Sequence, residues 1–365
     1  MMGEKNITLK QIAEKVGVSA TTVHRVLSNK GGCSEALKEK ILKIAEEEGY
    51  SVNYVASSLR KRTVHIALLF TKSDESFRYY LQEMLEGYKA YQKVIHQFNI
   101  VFHEYFYSGA EDGEESYLSQ LKKFEQDIPV RYDGLLIFGL LNSEEASPVL
   151  NRLIGKGVSI VVLEKEIISL EGSMIVKPND HIAGGMAGDL LVKMTGNSGT
   201  IVVFEQDLPN KDLNGQAFQE ELRRLGSNIQ ICRYPLSVQQ EQGKYMKQIL
   251  EKTSELKGIY ITSARHTAAY LKNCEKFSNM GISVVGSEIF DETYEALQDN
   301  RLDAVIDKRP YDIGYKALQF LFDKVIKYQN LPECYRVVPR VILRSNSDEY
   351  FKRKENRNGK RKCTE

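Results

Sequence analysis

Cysteine is scarce and scattered in this 365-residue chain: Cys33, Cys232, Cys274, Cys334 and Cys363, with no C-x-x-C among them. An odd, dispersed set argues against a disulfide framework and against zinc, and points to reduced thiols in a cytoplasmic protein. Long apolar runs are missing too. Segments such as GLLIFGLL and GVSIVVL are too short to span a bilayer, which takes about 20 residues. The opening MMGEKNITLK has no apolar stretch behind its charges, so no secretion signal and no membrane contact are expected. Histidine occurs only at 24, 65, 96, 103, 181 and 266, with no pair at metal-ligand spacing. Walker A, G-x-S-x-G and H-E-x-x-H motifs are absent, and the glycines of GAEDGEES and IAGGMAGD do not form G-x-G-x-x-G. Acidic pairs such as Glu144-Glu145 sit in polar loops and read as solvated. The expectation is a binding protein with no catalytic residues, no metal and no cofactor.

What the chain does have is segregated charge. The net charge is only +1, but residues 1–62 carry eleven Lys/Arg against seven acids. A small basic segment on a neutral body is the footprint of nucleic-acid binding, although solvated helix faces carry such charge as well. With 42% apolar residues the remainder can bury sizeable cores, and the length suits two or three units.

The basic segment has a local pattern. Thr8 is placed to cap a helix whose Leu9, Ile12, Ala13 and Val16 fall on one face, and Gly17 supplies the left-handed residue that ends it. Ser19 is placed to cap a second helix with Val23, Val26 and Leu27 inward. After the loop SNKGG, Ser34 is placed to cap a third, with Leu37, Ile41, Ile44 and Ala45 inward and Gly49 as its stop. Three short helices around one core describe a helix-turn-helix unit or, more blandly, any three-helix packing module.

The run from Ile7 to Lys61, with G-V-S-x-x-T-V-x-R-V-L, the G-Y after the third helix and N-x-x-A-x-x-L, resembles the DNA-binding head of the lactose-repressor (LacI/GalR) family in motif and spacing. That resemblance implies that Ala20, Thr21 and Arg25 read base edges in the major groove, and that Ser19, Thr22, Ser28 and Asn53 contact the DNA backbone. Arginine suits guanine because its planar fork meets two acceptors at once. His24 stands where serine is usual and Cys33 where valine is common. His24 then alters operator choice, contacts a phosphate, or faces solvent. NYVASSLRK is too short to hold a helix alone. By the resemblance it is a hinge helix that orders when two subunits meet on DNA, with Ala56 packing on its partner and Leu59 wedged into the minor groove. Outside that context Leu59 is an ordinary linker residue.

From Val64 the rhythm becomes buried strands alternating with helices, and it restarts after SIVVLEK. Continuous apolar strands crossed by helices mean parallel sheets covered on both faces, and two series in tandem suggest two lobes. Order and landmarks (Glu86-Gly87, Asp133-Gly134, I-D-K-R-P-Y-D-I-G at 306–314) resemble the periplasmic-binding-protein fold that the family uses as its sensor. The fold class is thus an all-α helix-turn-helix head plus a two-lobed α/β domain. The expected division is 1–52 head, 53–63 hinge helix and linker, 64–345 effector-sensing and dimerisation domain, and 346–365 a charged, disordered tail. Crossings between lobes are expected near 178, 308 and 337.

In sugar-binding members an aromatic stacks on the ring while acids, an arginine and an asparagine–aspartate pair clasp hydroxyls. By position, Phe77 supplies the aromatic and Glu164 an acid. Asp212 stands at the usual arginine, Ala264-Arg265 at the asparagine–aspartate pair, Glu288 at the aspartate and Lys308 at the glutamine of I-x-Q-x-P. Arg265 and Lys308 suit a carboxylate or phosphate; alternatively these charges pair with Asp212 or Glu288 and the cleft is idle. The function implied is a sequence-specific transcriptional regulator of carbohydrate-use genes, a repressor as is usual in the family. Its partners are a near-palindromic double-stranded DNA operator, a second copy of the chain in a homodimer, and a sugar or sugar acid or phosphate as effector. The alternatives are a regulator controlled by a partner protein at the sensor, with no small-molecule effector, and a carbohydrate-binding protein that merely carries the head.

Overall fold

A computed structural model describes residues 7–27, 33–48, 50, 62–71, 78–107, 118, 121–125, 132–138, 146–164, 170–207, 212–237, 242–274, 277 and 280–350. The head has the three helices expected: α1 (Leu9–Val16), α2 (Ala20–Leu27) and α3 (Glu35–Glu47). Thr8 caps α1 in a reciprocal box with Gln11, and Gly17, at φ +82°, ends it. In that left-handed region a residue with a Cβ is strained. Ser34 caps α3. Ile12, Ala13, Val16, Val23, Val26, Ile41 and Ala45 form one small core, fastened at its edge by an ion pair of Lys15 with Glu48.

Beyond the head the elements run β1 (Val64–Thr71), α4 (Arg78–Val94), β2 (Ile100–Tyr107), β3 (Gly134–Phe138), α5 (Ala146–Gly155), β4 (Ser159–Leu163), β5 (Met174–Pro178), α6 (Asp180–Met194), β6 (Thr200–Gln206), α7 (Leu213–Arg224), β7 (Gln230–Leu236), α8 (Gln242–Lys252), β8 (Leu256–Ile261), α9 (Ala264–Asn273), β9 (Ser283–Ser287), α10 (Asp291–Gln298), β10 (Ala304–Asp307), α11 (Pro310–Val325), β11 (Cys334–Val337) and β12 (Arg340–Ile342). A last helix covers 344–350, beyond the boundary drawn at 345. Its Ser347 and Tyr350 are buried; residues 351–365 lie outside the described set.

These strands form two six-stranded sheets with orders β11-β5-β4-β3-β1-β2 and β12-β10-β9-β8-β6-β7. The second repeats the first position by position, as the restart in the sequence implies. The recorded strand pairs are parallel except β10 with β12. Strands β1, β3, β6 and β8 read as apolar runs because helices cover both their faces. The chain divides into two compact units: 1–72, 88–176 and 315–335, and 73–87, 177–314 and 336–365. The chain passes between them at 72/73, 87/88, 176/177, 314/315 and 335/336. Sequence periodicity misses β5. That strand is five residues with alternating burial and ends in Lys177-Pro178, so no apolar run announces it.

IAGGMAG finds its explanation in α6. Gly184 faces α7 so closely that a Cβ there would lie 2.2 Å from the Asn214 carbonyl oxygen, and one at Gly188 would lie 3.1 Å from Leu222. Gly184 and Gly188 serve close helix packing.

Candidate nucleic-acid interface and ligand site

In α2, Val23 and Val26 face the head's core while Thr21 and Arg25, one helical turn apart, are exposed. Four residues is one turn, so both side chains project from one outward ridge. Ala20 and His24 are half-buried beside them. Ser19 Oγ accepts from the Thr22 backbone N–H at 3.1 Å and lies 2.9 Å from Thr22 Oγ1. These two residues therefore cap the helix that carries Thr21 and Arg25, whatever else they touch. Among the described residues no acid forms an ion pair with Arg25, so its guanidinium is not neutralised within the head. Ser28, Asn53, Ala56 and Leu59 lie outside the described residues, and so does Phe77. Replacing Arg25 by alanine is expected to cost about 1–3 kcal/mol on the specific operator and to relax one base preference, with little change on unrelated duplex. Fluorescence anisotropy on operators varied base by base checks this.

The second cluster lies at the carboxyl ends of strands in the unit that contains the β6–β10 sheet. Asp212 follows β6, Arg265 follows β8, Glu288 follows β9 and Lys308 follows β10. Strand carboxyl ends are where parallel α/β sheets bind ligands. Asp212, Glu288 and Lys308 are tied to one another or to the loops around them. Asp212 is buried, caps α7 and accepts from the Gln206 N–H at 3.0 Å and from the Thr262 hydroxyl. Lys308 Nζ is 3.1 Å from the Thr262 carbonyl oxygen, to which it donates, and 3.9 Å from Glu288 Oε1. Glu288 Oε2 accepts from the Lys308 backbone N–H at 3.1 Å. Burial pushes the Glu288 carboxyl well above the usual carboxylate range, against the pull of Lys308. Arg265, half-buried, stands in the first turn of α9. Glu164 sits in the other unit, after β4. It matches Glu288 closely: both have left-handed backbones (φ +73° and +62°), and both donate their N–H to the neighbouring strand at 3.0 Å, to Val176 and Ile306. Backbone strain of this kind, at the same place in both sheets, is typical of ligand sites.

Glu288 also lines a small cleft together with Tyr79, Tyr311, Asp307 and Asp312. Tyr79 stacks on Phe290 with ring centroids 4.1 Å apart. The arginines in its wall are paired, Arg309 with Asp312 at 2.8 Å and Arg340 with Asp307 at 2.7 Å.

Two features escape sequence reading. His65 Nδ1 and His103 Nε2, 38 residues apart in the chain, meet at 3.0 Å across β1 and β2; strand register, which spacing does not reveal, brings them together. Among the described residues no group of three or more His, Cys, Asp or Glu is placed to hold a metal. His266, one residue past Arg265, is fully buried, and neither ring nitrogen has a hydrogen-bond partner among the described residues. Burial, helped by the Arg265 charge, holds its imidazole down to about 3. An unfolded chain takes up this proton near 6.5. Stability from this site is therefore complete above that value and lost as pH falls from 6.5 towards 3. The loss by pH 5 is about 2 kcal/mol. Urea midpoints at pH 7.5 and pH 5 check it, and His266→Gln flattens the difference.

Comparison with known proteins agrees with this architecture. Residues 66–328 match the family described as periplasmic binding protein domain, and residues 8–53 match bacterial regulatory proteins, lacI family. The chain belongs to the periplasmic-binding-protein domain family and carries a lacI-family DNA-binding head. Among curated relatives, the probable HTH-type transcriptional repressor ExuR of Bacillus subtilis (strain 168) is 29% identical over 163 residues, 44% of each chain. The sucrose operon repressor of Lactococcus lactis subsp. lactis is 25% identical over 345 residues, 91% of this chain and 97% of that one. The chain spans less than half the length of the first curated relatives it matches. Among solved structures, a putative LacI transcriptional regulator from Bacteroides fragilis has TM-score 0.68 at 14% identity, covering 79% of this chain and 100% of that one. That likeness concerns the fold. No helix among the described residues is long and apolar enough to cross a membrane.

Proposed function

We propose that the chain is a cytoplasmic transcriptional repressor of the LacI type that binds a near-palindromic operator as a homodimer and controls a sugar-related operon. The observation that carries this is α2, which presents Thr21 and Arg25 outward from a core built by Val23 and Val26. The relatives named as repressors support the same reading. Ala20, Thr21 and Arg25 read bases; Ser19, Thr22, Ser28 and Asn53 meet the backbone; His24 faces the same groove; Ala56 and Leu59 act in the hinge. Activity of this kind requires no catalysis.

The effector is a sugar or a sugar-derived anion held at the strand carboxyl ends. As the resemblance implies, Glu164 and Phe77 also serve it, and Arg265 supplies its cationic contact. Lys308, engaged with Glu288 and Thr262, helps shape the site rather than meeting an anion directly, and Asp212 fixes the loop after β6. Isothermal titration calorimetry of the full chain with a hexuronate, a hexose phosphate and their neutral parent sugars tests this. Binding of at least one is expected, with Arg265→Ala weakening a charged ligand more than its neutral parent. Equal weakening of both removes the anionic contact from the account. The internal pairing of Asp212, Glu288 and Lys308 favours a second reading, in which a partner protein acts on the sensor and no small molecule binds. Silence across the whole calorimetric series is its outcome.

A further inference from the structure

We propose that Asp133 is the positioning residue through which the sensor holds the DNA head, acting by a two-pronged ion pair with Arg62; this rests on the function proposed above. Arg62 is where the described chain resumes after the head's Tyr50, just before β1. Whatever the sensor imposes on the head through the covalent chain passes through this point. Arg62 Nη1 donates to Asp133 Oδ2 at 3.1 Å, and Nη2 to Asp133 Oδ1. Two parallel N–H donors on one carboxylate fix direction as well as distance.

Asp133 is itself immobilised on three strands. Its Oδ2 accepts from the His65 N–H at 3.0 Å, its own N–H donates to the His65 carbonyl oxygen at 2.8 Å, and its carbonyl oxygen accepts from the Ser159 N–H at 3.0 Å. Residues at the starts of β1, β3 and β4 are thereby knotted around one carboxylate. The two partners differ in setting: the Asp133 side chain is 13% exposed and that of Arg62 55%. An exposed ion pair contributes little to folding stability. A rigid acid gripping an exposed arginine at the foot of the linker is better explained by what it positions. The pair sets the direction in which the linker leaves β1, so that a change in the sensor sheet is felt by the head.

The test uses the full chain and the duplex that the wild-type protein enriches from a random-sequence pool. Arg62→Ala and Asp133→Asn, the latter keeping an acceptor for His65, should each weaken binding to that duplex by about tenfold. Binding to a mixed-sequence duplex and the melting temperature should stay near wild type. The double variant should be no weaker than either single one, and Arg62→Lys, which keeps the charge without the fork, should recover only part of the loss. The proposal is overturned if both single variants bind the enriched duplex as wild type does, or if their losses multiply in the double variant. Losses that track a fall in melting temperature also overturn it, because the role is then structural. Should the wild-type chain enrich no duplex at all, the proposed function fails and this inference fails with it; failure of the variants alone leaves that function standing.

Discussion

Raising salt from 50 to 200 mM is expected to lower affinity for the operator by about 10³-fold. The cause is counterion release: each phosphate met by Lys or Arg frees a condensed cation, and the gain shrinks as bulk cation rises. The charge for this is concentrated in residues 1–62, with eleven Lys/Arg against seven acids, while the whole chain is nearly neutral at +1. Within the described head some of that charge is internally paired, Lys15 with Glu48, Lys38 with Glu35 and Lys43 with Glu47. Arg25 has no such ion pair there. Two heads on one operator double the number of phosphate contacts, so the slope of log affinity against log salt also reports how many heads are bound. Anisotropy titrations at several salt concentrations measure it. A flat response means that the basic head does not engage phosphates.

Gly184→Ala is expected to destabilise the unit built on the β6–β10 sheet by about 3 kcal/mol, at the upper end of overpacking costs. The added methyl would lie 2.2 Å from the Asn214 carbonyl oxygen, 2.8 Å from the Ala217 Cβ and 2.8 Å from the Phe218 nitrogen. Two of these are backbone atoms on α7, which cannot swing aside as a side-chain tip does. Relief requires separating α6 from α7 and opening the core that Ala183, Ala187, Phe218 and Leu222 fill. The neighbouring glycine is the control. A Cβ at Gly185 meets nothing within 4 Å, so Gly185→Ala should be neutral or stabilising by up to about 1 kcal/mol from helix propensity. Urea denaturation of the two variants should give shifts of opposite sign or, at least, a large loss against none. Equal effects would mean that α6 and α7 do not pack as described.

The head was readable from sequence because its physics is local. Caps at Thr8, Ser19 and Ser34, the left-handed Gly17 and an apolar residue every three or four positions all lie within one helix length of what they control. Strand alternation and the restart after β4 likewise foretold two parallel sheets, since buried strands must be apolar on both faces. What stayed hidden depends on contacts between distant segments. The His65–His103 meeting follows from strand register, and the short β5 is held by neighbours rather than by its own composition. The candidate site divides the same way. Topology put Asp212, Arg265, Glu288 and Lys308 at strand carboxyl ends, as the resemblance implied. That Lys308 turns to Glu288 and Thr262 depended on loop geometry that no spacing encodes.

Selection of duplexes from a random-sequence pool by the full-length chain, followed by sequencing, tests the central claim most directly. A sequence-specific dimer carrying this head should enrich a single near-palindromic motif, and Arg25→Ala should blur one position in each half-site while leaving the rest intact. Enrichment of no motif, or of a motif indifferent to Arg25, would contradict the account.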